Sequence, residues 1–206
     1  MKRRIALVMA VLVAVAFMPA MSFAAKTVKM TDYSDVYKSG KTAYCAGDAG
    51  LYKVTLKKGK VKKVKRLVKM GEYGWVMSLK KKGKYIYFVE GTNGTVSYIC
   101  RVKTSGGKAK SLGGGNEMQD YAISGNKIYY SYLDYNDRTD EEYVAYRQMK
   151  LNGKGKKKSS VVPRETTKTS NAKGYKVKSV EKGGYVKDYL KTPKGKFYLG
   201  KKKLPW

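Results

Sequence analysis

Lysine carries most of the chemistry that this sequence can do. The chain has 45 basic and 15 acidic residues, a formal charge of +30, and no histidine. Without histidine the usual general base and every histidine-ligated metal site are gone. Arginine stands only at 3, 4, 66, 101, 138, 147 and 164, so the cationic groups are mostly ammonium ions. An ammonium is a compact, hydrated point charge, whereas a guanidinium is a fork that reads phosphate or carboxylate in a fixed geometry. The composition therefore predicts diffuse attraction to polyanions. The candidate anion-binding residues are Lys80, Lys81, Lys82 and Lys84, then Lys156, Lys157 and Lys158, then Lys201, Lys202 and Lys203.

The other constellations are weaker. Ser39-Gly40-Lys41-Thr42 has the end of a phosphate-binding loop, but Asp35 stands where its first glycine belongs. A strand pattern follows it instead of a helix, so it reads as a hairpin turn. The acidic stretch Asp134 to Glu142 is rich in oxygen ligands, yet it lacks EF-hand spacing and contains Arg138. It reads as a solvated loop able to pair with lysines of another subunit, with calcium binding as the alternative. No residue set has metal-ligand or catalytic spacing, so no metal, no cofactor and no catalytic residue is predicted. Cys45 and Cys100 read as small buried apolar residues, although an exported chain also allows one disulfide.

Export is the expectation from the first residues. Met1-Lys2-Arg3-Arg4 is a basic head, Ile5 to Met18 is apolar, Pro19 breaks the run, and Ser22-Phe23-Ala24 offers small residues for cleavage. This is the pattern of a signal peptide over 1–24. The apolar run is shorter than the ~20 residues that span a bilayer, and no second one follows. The mature chain, 25–206, is expected to lack a transmembrane segment and to be secreted, extracellular or associated with the cell wall. The leader holds three basic residues and no acid, so the charge of the mature chain is +27.

A strand phrase marked by tyrosine recurs along this mature chain. It reads Gly40-Lys41-Thr42-Ala43-Tyr44-Cys45, Gly83-Lys84-Tyr85-Ile86-Tyr87-Phe88 and Gly125-Asn126-Lys127-Ile128-Tyr129-Tyr130, with a weaker copy at Gly195-Lys196-Phe197-Tyr198-Leu199. The first three glycines are 43 and 42 residues apart. A fixed period in this range means one supersecondary unit copied and stacked. Alternation within the units predicts antiparallel strands joined by glycine turns. In the second unit Tyr85, Tyr87 and Val89 should point one way, and Ile86 and Phe88 the other. The units run approximately over 33–70, 73–113, 118–162 and 175–206, the last lacking its second half, and 163–174 reads as a polar loop. Equivalent lysines of stacked copies would form a basic stripe, while the tyrosines would chiefly pack between units.

These phrases resemble the YWTD and TolB-like class of β-propeller repeats, in particular copies in secreted bacterial proteins of unknown function. In that class a Gly-Lys or Gly-Asn turn leads into Ile-Tyr-Tyr, and a second strand carries a Tyr-Ile-Cys type phrase. Gly83 to Leu112 and Gly125 to Ser160 match best, and Gly40 to Val68 in part. The resemblance implies an all-β chain of antiparallel four-stranded units, three and a partial fourth, in a small or incomplete propeller. Propellers usually have four to eight blades. Either the N-terminal segment completes a small ring, or the chain forms an open arc whose strand edges invite self-association.

The expected function is that of a non-enzymatic binding protein. Its partner would be an anionic envelope polymer such as teichoic acid, held by the lysines. A protein–protein scaffold with another surface protein as partner is the alternative. A carbohydrate-binding or hydrolytic propeller is the third reading. No specific nucleic-acid partner is expected.

Overall fold

The computed structural model describes residues 27–29, 35–92, 94–164 and 172–205. The signal peptide expected over 1–24 lies outside them. The fold is all-β, with no helix among the described residues. A short strand β1 (Thr27–Lys29) precedes the first unit, β2 (Val36–Ser39), β3 (Thr42–Gly47), β4 (Gly50–Lys57) and β5 (Lys60–Lys69). Next come β6 (Trp75–Lys82), β7 (Tyr85–Gly91), β8 (Val96–Lys103) and a long β9 (Lys110–Ser124). Strands β10 (Lys127–Asn136), β11 (Glu141–Lys150) and the two-residue β12 (Lys157–Lys158) follow, then β13 (Val162–Arg164). The chain closes with β14 (Lys176–Lys182), β15 (Tyr185–Thr192) and β16 (Gly195–Lys203).

The strands form antiparallel meanders, β2 to β5, β6 to β12 and β14 to β16, while β1 pairs with β13 in parallel. The seven-stranded sheet holds two repeat units, because the first half of β9 pairs with β8 and its second half with β10. The sequence reading ended the second unit at 113; the structure runs the strand on through Gly114 and Gly115. A β-carbon at Gly114 would strike the carbonyl oxygen of Ser97, and one at Gly115 would strike the ring of Tyr132. These glycines serve close approach rather than a turn. The bend between units falls instead near Glu117, whose φ is 39°.

Among the described residues, side-chain alternation builds three cores between neighbouring units. Tyr44 and Ala46 of the first unit meet Ile86, Phe88 and Cys100 of the second. On the other face of that second sheet, Tyr87, Val89 and Ile99 meet Ile128, Tyr130 and Met149 of the third. Ala43, Cys45 and Tyr52, from the opposite face of the first sheet, meet Val177, Leu190 and Leu199 of the fourth. The expected division of Tyr85, Tyr87 and Val89 from Ile86 and Phe88 therefore holds. The packing order is fourth, first, second, third, and β13 lies against β9 and β10 of the third unit.

The turn glycines identify the equivalent hairpins. Gly40, Gly83, Gly125 and Gly183 have φ of 57°, 56°, 57° and 60°, each directly after the first strand of its unit. Gly195 has φ of 128° and begins β16. The fourth copy of the phrase thus starts at Gly183, and the phrase at Gly195 belongs to the unit's second hairpin. Counted from Gly183, the fourth unit lacks one strand rather than half its length. Part of the loop expected over 163–174 is β13; 165–171 lie outside the described residues. Cys45 and Cys100 are free and buried in different cores, so the disulfide that export would allow is not formed.

Candidate anion-binding surface

Opposite residues on neighbouring strands share a face, so the fourth sheet can be read rung by rung. Its outward rungs are Lys176–Lys191–Lys196, Lys178–Tyr189–Tyr198, Val180–Lys187–Lys201 and Lys182–Tyr185–Lys203. One three-stranded face thus carries eight lysines, three tyrosines and no acid. The other face buries Val177, Val186, Asp188 and Leu190 against the first unit. Directly opposed like charges destabilise a sheet, and Lys176–Lys191, Lys191–Lys196 and Lys187–Lys201 are such pairs. The rings temper the cost: the Lys196 ammonium sits 3.9 Å from the Tyr189 ring centre, and Lys201 4.3 Å from that of Tyr185. Each such contact contributes about 0.5–1 kcal/mol at an exposed site. Tyr189 and Tyr198 meet edge to face at 5.7 Å, with Tyr198 half exposed.

A related rung stands on the second unit. Tyr85 lies between Lys82 and Lys103, as Tyr185 lies between Lys182 and Lys203. Arg101 stacks on Tyr85 at 4.4 Å, in the place that Lys201 takes beside Tyr185. The corresponding rung of the third unit is Ser124–Lys127–Lys150. Shallow depressions of about 270, 290 and 330 Å³ mark the three units. Tyr85, Arg101 and Lys103 line the first, Lys127, Lys150 and Lys157 the second, and Lys178, Tyr189, Lys191 and Lys196 the third. None of them is lined by an acid. No protein-family model and no curated protein matches this chain.

The lysines singled out in the sequence have different fates. Lys82, Lys84, Lys156, Lys157, Lys158, Lys201 and Lys203 are exposed, while Lys80 and Lys81 are half-buried on β6. They sit on three different units rather than in one cluster. Lys202 must be corrected: it is buried, at 8% exposure, and its ammonium donates to the carbonyl oxygens of Gly71 at 3.2 Å and Gly74 at 2.9 Å. Strand alternation turns Lys201 and Lys203 outward and Lys202 inward. Burial lowers its pKa from the ordinary value, against the pull of Asp48, Asp188 and other acids. Arg101, Lys178, Lys191 and Lys196 escaped a reading that looked for consecutive lysines. Their signal is period two, visible at Lys176 and Lys178 and again at Lys187, Tyr189 and Lys191.

The seam beneath this face is polar and closed. Asp188 is fully buried and accepts hydrogen bonds from the Tyr52 hydroxyl and the Ala49 N–H, both at 2.9 Å, and from the Ser179 hydroxyl at 2.8 Å. Burial raises its pKa, and those three donors hold the rise back. Arg66 donates to the carbonyl oxygen of Lys201 at 3.2 Å, tying the first unit to the last strand. Gly47 faces the Asp188 carboxylate so closely that a β-carbon there would overlap it.

Proposed function

We propose that this is a non-enzymatic, exported binding protein that holds an anionic envelope polymer on the outward face of its fourth unit. The observation that carries the reading is the run of outward rungs from Lys176 to Lys203, where like charges face one another with no acid among them. A fold has no use for that repulsion unless an outside anion relieves it. The basic hollows on the second and third units would extend the contact along a long polymer, each adding weak affinity in the manner of linked sites. Tyr198, half exposed, offers a ring on which a sugar of a glycopolymer can stack, while ammonium groups meet its phosphates. Asp188, the most buried carboxylate among the described residues, is committed to hydrogen bonds inside the fold, which supports a binding role over a hydrolytic one. The units themselves fit a small or incomplete propeller of the YWTD/TolB-like kind.

Co-sedimentation with Gram-positive cell walls tests this reading. Walls that retain their anionic polymers should pull the mature chain down at low salt. Walls stripped of those polymers should not. About 0.5 M NaCl should release the protein, because screening there falls to about 4 Å. Retention on stripped walls, or retention in high salt, would contradict the proposal.

A further inference from the structure

The third unit carries a feature that polymer binding does not use. Strands β10 and β11 pair from Lys127–Lys150 out to Asn136–Glu141, but β9 follows only as far as Leu133–Asn116. Beyond that point no other described strand pairs with them, and they form an arm ending in a turn where Asp140 has φ of 57°. A lone two-stranded ribbon is marginal in water. One side of the arm is internally satisfied: Tyr143 donates to Asp134 at 3.1 Å, and Arg147 pairs with the same carboxylate at 3.6 Å. Among the described residues the other side has no such network. It bears Leu133 opposite Val144 and Tyr135 opposite Glu142, with Tyr135 47% and Val144 36% exposed. From 134 to 142 there are five acids against Arg138, a formal charge of −4 in a strongly cationic chain.

We propose that this arm docks on the lysine–tyrosine face of the fourth unit of a second copy. Charge decides the partner: an acidic arm with an exposed tyrosine matches a face of lysines around Tyr189 and Tyr198. Position decides the form. The arm belongs to the third unit and the face to the fourth, the two ends of the packing order. The contact is therefore heterologous, and such contacts propagate head to tail unless they close into a ring. Steering between opposite charges would make assembly fast at low salt and weak at high salt. The inference shares the fourth-unit face with the proposed polymer site, so a polyanion should compete with assembly.

Sedimentation velocity on the full mature chain tests it. At low salt the mass should grow past that of a dimer as concentration rises, and about 0.5 M NaCl should return it to monomer. Two variants divide the contact. One neutralises the arm with Asp140→Asn, Glu141→Gln, Glu142→Gln and Tyr135→Ser; the other blunts the face with Lys191→Thr, Lys196→Thr and Tyr198→Ser. All seven positions are exposed, so circular dichroism should match the wild type. Each variant alone should stay monomeric, and an equal mixture should form a dimer and grow no further, because one intact contact remains. The arm variant should bind anionic walls as the wild type does, and the face variant more weakly. A wild type that is monomeric at every salt, an arm variant that assembles, or a mixture that stays monomeric would overturn the inference. If wall binding persists in those cases, the proposed function stands without it.

Discussion

The Tyr52 hydroxyl donates to the Asp188 carboxylate across the boundary between the first and fourth units, at 2.9 Å. The two residues are 136 apart in sequence, and both side chains are buried. This bond fixes how the lysine face is presented, because Asp188 lies on the strand that carries Tyr185, Lys187 and Tyr189 outward.

Tyr52→Phe removes one of the three donors to a buried carboxylate and leaves the shape of the seam intact. Urea denaturation should show a loss of about 1–3 kcal/mol, the range for leaving a buried polar group short of a partner. A change near zero would mean that the seam is not a determinant of stability.

The same carboxylate gives a pH signature. Burial raises the folded pKa of Asp188 above its ordinary value of 3.8, so folding takes up a proton in the range just above that value. The contribution is complete below the unfolded pKa and is lost as pH rises through the folded one. Lys202 behaves oppositely at the alkaline end. Its folded pKa lies below 10.5, so folding releases a proton there and stability recovers as pH rises through the folded value. Melting temperatures across pH should therefore differ between wild type and Asp188→Asn chiefly by the removal of the acid-side slope. Asp35, also raised by burial, contributes a residual slope of the same sign in both proteins.

Gly125 should be intolerant of a side chain for reasons of backbone alone. Nothing lies within 4 Å of where its β-carbon would be, yet its φ is 57°. Gly125→Ala should cost about 1–2 kcal/mol, the cost of a left-handed residue with a β-carbon, and Gly125→Asn should cost less because Asn visits that region more readily. Equal losses for the two substitutions would contradict the turn assignment.

Lys191 and Lys196 face each other on adjacent strands. Replacing both with threonine should raise the melting temperature slightly, because opposed like charges are removed, while weakening attachment to anionic walls. A purely structural role would give the reverse, a lower melting temperature with attachment unchanged.

The meander was legible because one sheet face is always buried. Period two in Tyr85 to Val89 forces alternate residues into the first-second and second-third cores, and the structure places them there. The site was less legible because consecutive lysines in a strand point to opposite sides. Lys201-Lys202-Lys203 looks like one patch in sequence and is two surface groups flanking a buried one. Register supplied what the runs could not. Lys82, Tyr85 and Lys103 form one rung only because the β6–β7 turn and the β7–β8 pairing bring them abreast. The fourth unit was placed at 175–206, but its turn glycine was hidden by spacing: Gly183 lies 58 residues after Gly125, not 42 or 43. Its turn conformation, matching those of Gly40 and Gly83, revealed it.

Lysine footprinting by acylation and mass spectrometry, with and without a purified anionic wall polymer, tests the central claim most directly. Bound polymer should shield Lys178, Lys191, Lys196 and Lys201 strongly, Lys103 and Lys127 less, and leave Lys62 and Lys63 on β5 reactive. Equal shielding of every exposed lysine, or none on the fourth unit, would contradict the account.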